Sequence, residues 1–304
     1  MGTAEPRIAI LMAVYEPRLD WLRAQLTSLN AQTWPNLRLY IRDDASPTVP
    51  IGEIRHLAES CVTAFPFTVE RNEENLGSNG TFARLTGEAE GAYFAYCDQD
   101  DVWLPGKLEA LQKALENESA QMAYCDMSVI DGEGGELAPT LRALRPRLRY
   151  VSGEGLAETY FFRNCTAGCS MLLRSETARA ALPFPKETYC DQWLAICAAR
   201  SGAVAFVDRP LLRYRQHGAN QTGVLAGVTD KASYRRLRLE PLRERLAFYQ
   251  AVFGRDERLE AFVRGRLEGD LRQIWRGRAL SPMEARFEIA ARFMPDKLFQ
   301  KIVR

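Results

Sequence analysis

The chain has 304 residues, 46% of them hydrophobic and 10% aromatic, with a formal net charge of +1. That composition excludes a disordered chain and suffices for one large core, with or without an appendage. The longest apolar run near the start, residues 8–14, is too short to span a bilayer and follows no basic segment, so neither an anchor nor a signal peptide is expected.

The charge is unevenly spread. Residues 231–304 carry 18 Lys+Arg against 10 Asp+Glu, leaving 22 against 29 for residues 1–230, so a +8 tail follows a −7 body. Seven cysteines, at 61, 97, 125, 165, 169, 190 and 197, are odd in number and sit in apolar segments, as reduced core thiols of a cytoplasmic protein do. Cys165 and Cys169 have no second pair at matching spacing, which argues against a structural zinc.

Short apolar runs alternate with amphipathic ones through the first two-thirds. Strands are predicted at 7–14, 37–42, 67–71, 92–97, 122–130, 168–174 and 203–207, and helices at 18–33, 51–64, 78–90, 104–117, 175–181 and 190–201. This order makes the chain α/β, with a Rossmann-like, mostly parallel mixed sheet and helices on both faces. Residues 131–153, rich in Gly, Pro and Arg, read as a loop beside the site. From about residue 231 apolar residues recur at helical spacing, and Gly254 and Ser281-Pro282 divide the region into roughly three helices. The expected organisation is an α/β domain over 1–229 and a basic helical region over 230–304.

Ligands of such sheets sit at the carboxyl ends of the strands. After the first predicted strand comes Ala13-Val14-Tyr15-Glu16-Pro17, after the second Asp43-Asp44-Ala45-Ser46, after the third the run from Asn72 to Asn79, and after the fourth Asp98-Gln99-Asp100-Asp101. No glycine-rich dinucleotide fingerprint and no P-loop occurs, so phosphate must be held another way. Three carboxylates within four residues repel one another unless a cation sits among them, and Mg²⁺ or Mn²⁺ bridging Asp100 and Asp98 to a diphosphate answers that need. The alternative is a solvated acidic turn capping the helix that follows.

The blocks IAILMAVYEP, QLTSLNAQTWPNLRLYIRDDAS, ENLGSNG and YCDQDDVWLPGKLEAL, in that order, resemble the N-terminal half of family 2 glycosyltransferases over residues 7–220. In detail they are most similar to bacterial rhamnosyltransferase-like members that build cell-surface polysaccharide. The resemblance implies a GT-A fold, an inverting reaction and a divalent metal, Mg²⁺ or Mn²⁺. It implies that Ala13, Val14, Tyr15 and Glu16 line the nucleotide, and that Asp43 bonds a pyrimidine edge with Asp44 behind it. Asn75, Gly77 and Asn79 match the family's asparagine-glycine loop at the nucleotide, with a helix N-cap at Ser78 or Asn79 as the other reading. Asp98 would touch ribose or metal, Asp100 would be the principal metal ligand, and Asp101 would meet the donor sugar or fix the loop.

The same resemblance makes Asp191, in TYCDQWLA, the general base, although Cys190 stands where the family often has Glu or His; an N-cap is the alternative role. Trp193 forms either an apolar wall against a sugar ring or core. His217, in LLRYRQHGANQTG, would be a further metal or diphosphate contact, with Arg213, Arg215 and Gln216 as neighbouring phosphate candidates, whereas His56 reads as a surface residue. The implied donor is dTDP-rhamnose first and a UDP-hexose second, and the acceptor a glycan or lipid-linked glycan. The basic C-terminal helices would rest on an anionic membrane, mediate oligomerisation, or pack on the catalytic domain. Nucleic-acid binding is not expected, since the basic residues lack an aromatic platform. Cytoplasmic residence, including the inner face of the cytoplasmic membrane, follows. Two rivals stay open: a nucleotidyltransferase, which lacks its glycine- and lysine-rich loop here, and a catalytically silent nucleotide- or sugar-binding module.

Overall fold

The computed structural model describes residues 5–186, 188–217 and 227–303. The glycine-containing stretch that follows His217 lies outside the described residues. The first strand, β1 (Ile8–Val14), contains no polar side chain and is buried along nearly its whole length, as a strand covered on both faces must be. Helix α1 (Leu19–Asn30) turns Leu22, Leu26 and Leu29 inward at spacings of four and three. There follow β2 (Leu37–Asp43), α2 (Ile51–Cys61), β3 (Phe67–Arg71), α3 (Gly77–Glu88) and β4 (Tyr93–Cys97). These strands lie parallel in the order β3-β2-β1-β4. The chain steps outward from β1 to β3 and α3 then carries it back past β1, so right-handed crossovers place α3 on the face opposite α1 and α2.

The second half adds β5 (Val102–Trp103), α4 (Lys107–Asn117), β6 (Met122–Ile130), β7 (Glu136–Ala138), α5 (Leu141–Leu144), α6 (Ala157–Phe162), β8 (Met171–Arg174), α7 (Ser175–Ala180), α8 (Cys190–Ser201) and β9 (Val204–Arg215). β8 runs antiparallel between β4 and β6, β9 lies parallel to β6, and β5 and β7 join antiparallel to β9 and β6. The result is the mixed α/β sheet expected from the sequence, its core filled by residues such as Ile10, Met12, Leu39, Leu108 and Leu172.

Three local expectations change. The strand expected at 203–207 continues to Arg215 past Asp208, and register shifts against β6 between Cys125 and Ser128 absorb the interruption. The loop expected at 131–153 contains β7 and α5, and residues 168–170 form a tight helical turn ahead of β8.

The chain forms two compact units, Met1–Phe184 with Tyr189–Gly218, and Pro185–Thr188 with Ala219–Arg304. The second holds six α-helices among the described residues where about three helices were expected: α9 (Lys231–Tyr234), continued by a π-helical turn over Arg235–Leu239, α10 (Pro241–Phe253), α11 (Glu257–Glu268), α12 (Leu271–Arg276), α13 (Pro282–Phe293) and α14 (Asp296–Val303). Asp256 caps the helix that follows the break expected at Gly254, and Asp270 supplies one of the extra breaks. Each accepts two backbone N–H groups of the next helix, and Gly269 closes α11 at φ +74°, a left-handed conformation that favours glycine. Inside this unit Arg266 pairs with Glu288 at 2.6 Å, both buried, and the Tyr234 hydroxyl donates to the same carboxylate at 2.9 Å. No helix among the described residues is long and apolar enough to cross a membrane.

Candidate active site

The acidic segment after β4 is keyed to the end of β1 by a residue the sequence reading passed over. Gln99 donates its amide N–H to the Tyr15 carbonyl at 3.0 Å and accepts the Tyr15 N–H at 2.8 Å. Its neighbours Asp98 and Asp100 are thereby fixed beside the β1 terminus. Of the four residues expected to line a nucleotide, Tyr15 is exposed and Ala13 partly so, whereas the Val14 side chain is core. Glu16 is a correction: it sits at φ +43°, and its carboxylate accepts the Thr48 N–H at 2.8 Å, the Thr48 hydroxyl and the Val49 N–H at 3.3 Å. The Thr48 bonds hold its pKa below the usual carboxylate range. The side chain ties down the loop after β2 and is not turned to a ligand.

Asp43 is likewise held by partners of its own fold. Its side chain is fully buried, accepting the Ser46 hydroxyl at 2.5 Å and lying 2.5 Å from Arg71 Nε, a contact that is an ion pair without an aligned N–H. Asp44 accepts Asn72 Nδ2 and the Leu76 N–H, each at 2.8 Å. That bond fixes the root of the Asn75 loop, where Asn75 Oδ1 accepts the Gly77 N–H at 3.1 Å and Gly77 takes φ +69°. Asn75 and Gly77 are both exposed.

Asn79 has a different partner from the one expected. Helix α3 starts at Gly77, so Asn79 does not cap it. Its Oδ1 instead accepts the Cys190 N–H at 3.0 Å, across 111 residues, at the start of α8. The flanking residue Tyr189 gives α8 no side-chain cap, so Asn79 satisfies an N–H that the helix leaves open. Asp191 is then the second residue of α8 and not its N-cap. Its Oδ1 accepts the Gln192 N–H at 2.6 Å. Burial pushes its carboxyl up to about 6, against the opposing bonds from the Gln192 N–H, the Asn164 side chain and the Gly168 N–H.

The acidic trio divides by burial. Asp98 and Asp100 are partly open, and burial, then Asp100 and Asp191, raise the Asp98 carboxyl to about 7. Asp101 is fully buried; desolvation first, then Asp100 and Asp98, push its pKa upward. Asp101 accepts the Arg215 N–H at 3.0 Å, which ties the acidic loop to β9. Arg215 is likewise buried rather than presented to phosphate. Its guanidinium donates to the carbonyls of Asp100 (2.8 Å), Asp131 (3.0 Å) and Gly132 (3.2 Å), locking β9, the acidic loop and the turn before β7 together. Arg213 is exposed beside β5, and the Gln216 N–H is spent on the Ile130 carbonyl at 2.8 Å. His217 is brought to the trio, with Nε2 2.7 Å from Asp100 Oδ2 and its ring 4.9 Å from that of Trp21.

Beneath the trio lies a buried lysine that sequence reasoning missed. Lys107 donates to the Cys169 carbonyl at 2.6 Å and stands 2.9 Å above the Trp103 ring; burial lowers its pKa to about 8. The available signal was its place in α4, on the same side as Leu108, Leu111 and Leu115. Trp193 is corrected from sugar wall to core: it is 1% exposed and its indole N–H donates to the Ala181 carbonyl at 2.8 Å.

These residues fit a divalent cation. Asp101 Oδ2 is buried with no aligned donor, and Asp98, Asp101 and Cys169 bring ligand atoms within 4.8 Å of one another. The Cys169 thiol is pushed well up by burial and by both carboxylates, which keeps it protonated and a poor ligand. That leaves the carboxylates of Asp98 and Asp101 as the donors of this group that Mg²⁺ and Mn²⁺ favour, with Asp100 and its partner His217 on the same loop.

A family model described as glycosyl transferase family 2 matches residues 9–177. A dTDP-rhamnosyl transferase of Shigella flexneri is 24% identical over 243 residues, covering 75% of this chain and 78% of its own. A UDP-Glc:alpha-D-GlcNAc-diphosphoundecaprenol beta-1,3-glucosyltransferase of Escherichia coli is 23% identical over 194 residues, 62% of this chain and 69% of its own. Among solved structures, a Pyrobaculum calidifontis mannosyltransferase in complex with GDP-Man and Mn²⁺ superposes with a TM-score of 0.58 at 16% identity, over 99% of this chain and 85% of its own. That likeness carries the GT-A fold, and with more than half the chain inside the family model, the chain belongs to glycosyl transferase family 2.

Proposed function

We propose that the chain moves a sugar from a nucleotide-diphosphate donor to a hydroxyl of a glycan or lipid-linked glycan acceptor during surface polysaccharide synthesis. The observation that carries this reading is the placement of Asp191: a carboxyl raised to about 6 in the first turn of α8, close enough to Asp98 to raise it in turn. A base near neutrality beside an acidic, metal-fitting loop is what an in-line displacement needs. Asp191 takes the proton of the acceptor hydroxyl, whose oxygen bonds to the anomeric carbon. The bond from that carbon to the diphosphate oxygen breaks, the electron pair leaves with the diphosphate, and the configuration inverts.

Asp98, Asp100 and His217 would hold Mg²⁺ or Mn²⁺, which offsets charge on the leaving diphosphate when bound. Ala13 and Tyr15 border the nucleotide on one side and the exposed Asn75-Gly77 loop on the other. The donor we favour is dTDP-rhamnose, supported by the Shigella flexneri relative, with a UDP-hexose second, supported by the Escherichia coli glucosyltransferase. The latter's name also supports a lipid-linked acceptor, and with it a cytoplasmic enzyme working at the inner face of the membrane. The test is a donor panel of dTDP-rhamnose and UDP-hexoses with and without Mg²⁺ or Mn²⁺, read by thermal shift and by the anomeric configuration of the product. A retained configuration, or no stabilisation by any nucleotide sugar with metal, would overturn the proposal.

A further inference from the structure

The last two helices each bury one side and leave the other in solvent. Helix α13 buries Ala285, Glu288 and Ala291 and exposes Met283, Arg286, Ala290 and Phe293, which recur at spacings of three, four and three and so share one face. Helix α14 packs Phe299 and Val303 into a cluster with Val228 and Ala291, and its opposite side presents Lys297, Leu298 and Lys301. Phe293 is 74% exposed, Met283 49% and Leu298 48%. Moving the open part of these large apolar side chains out of water is favourable.

The charges say what that something is. Arg286, Lys297 and Lys301 are exposed and form no ion pair among the described residues, and the one exposed acid between the two helices, Asp296, is matched by Lys231 at 3.3 Å. Apolar side chains set among unneutralised cations match an anionic bilayer, whose headgroups meet the cations while the apolar groups enter the acyl boundary. A second copy fits poorly, since two-fold pairing of this face would set its cations against themselves.

We propose that the exposed sides of α13 and α14 dock the protein on an anionic membrane, through Phe293, Leu298 and Met283 with Arg286, Lys297 and Lys301. The proposal gives a site to the membrane partner of the reading above and rests on that reading only for its purpose. The test is co-sedimentation of the full chain with phosphatidylcholine vesicles, with and without phosphatidylglycerol. Binding is expected only with phosphatidylglycerol and weakens with salt. Lys297→Gln with Lys301→Gln should lower partitioning about thirty-fold, two cations at about 1 kcal/mol each. Phe293→Ser with Leu298→Ser should lower it at least about ten-fold at unchanged surface charge.

Equal binding of both variants and the parent, no preference for the anionic vesicles, or a dimer in sedimentation velocity that Phe293→Ser dissolves would each overturn the proposal. Turnover on a water-soluble acceptor, measured in parallel, separates the two readings. Vesicle binding without turnover leaves the surface standing and removes the transferase assignment. Turnover without vesicle binding does the reverse.

Discussion

Replacing Arg215 by Met keeps most of the side-chain volume and removes the guanidinium that locks the acidic loop. Three backbone carbonyls, of Asp100, Asp131 and Gly132, lose a charged donor at 2.8–3.2 Å. A hydrogen bond to a charged group contributes about 1.5–3 kcal/mol, and two of the three share one nitrogen, so the loss is about 3–5 kcal/mol. Asp101 keeps the Arg215 backbone N–H, so the change falls on the carbonyls alone. For a unit of roughly 200 residues this corresponds to a fall in Tm of about 6–20 °C. Differential scanning calorimetry measures it, and isothermal titration with Mn²⁺ reads the loop, where weaker binding of at least about ten-fold is expected because the Asp100 carbonyl is no longer fixed. Arg215→Lys restores little, since one ammonium cannot reach three carbonyls in the guanidinium fork. A Tm within about 1 °C of the parent, with unchanged Mn²⁺ binding, would refute the latch.

Four further outcomes follow from the same geometry. Because the Asp191 carboxyl is raised from 3.8 to about 6, it is protonated below that pH and cannot act as a base, so kcat/KM should fall as pH drops through about 6 and level off above it. The raised pKa also means that this group favours folding more below pH 4 than above pH 6, so Asp191→Asn should not lower Tm at neutral pH. Asn79→Ala removes the cap from α8 and should cost about 1 kcal/mol of stability while lowering kcat more than it raises KM; Asn79→Asp, which can still accept the Cys190 N–H, should recover most of the Tm. Trp193→Ala, as a core truncation, should destabilise by about 3–5 kcal/mol, whereas a sugar-wall residue would instead raise the KM of a stable protein.

The strands were legible because IAILMAV and MAYCDMSVI are continuous buried runs, and the α/β order needs little more than their alternation with amphipathic segments. The two-residue β5 was not, since Val102 and Trp103 carry no period of their own and are held by β9 more than a hundred residues later. The acidic loop and Asp191 were legible as chemistry at strand and helix ends. Which way a polar side chain faces was not: Glu16, Asp43, Asp101 and Arg215 all have the composition of ligand contacts and are spent on partners of their own fold. The Asn79 cap on Cys190 and the Gln99 clasp on Tyr15 join residues 111 and 84 apart, and no local pattern encodes such a pairing. Lys107 was hidden because a lysine is ordinarily read as a solvated face.

The central claim is that Asp191 is the base of a nucleotide-sugar transferase. It is tested most directly by nucleoside-diphosphate release from the donor that the panel identifies, with acceptor and Mn²⁺ present, for the parent and for Asp191→Asn. Expected are parent turnover, a loss of at least about a thousand-fold in kcat for Asp191→Asn, and an unchanged thermal shift with the donor. Undiminished turnover by Asp191→Asn would contradict it.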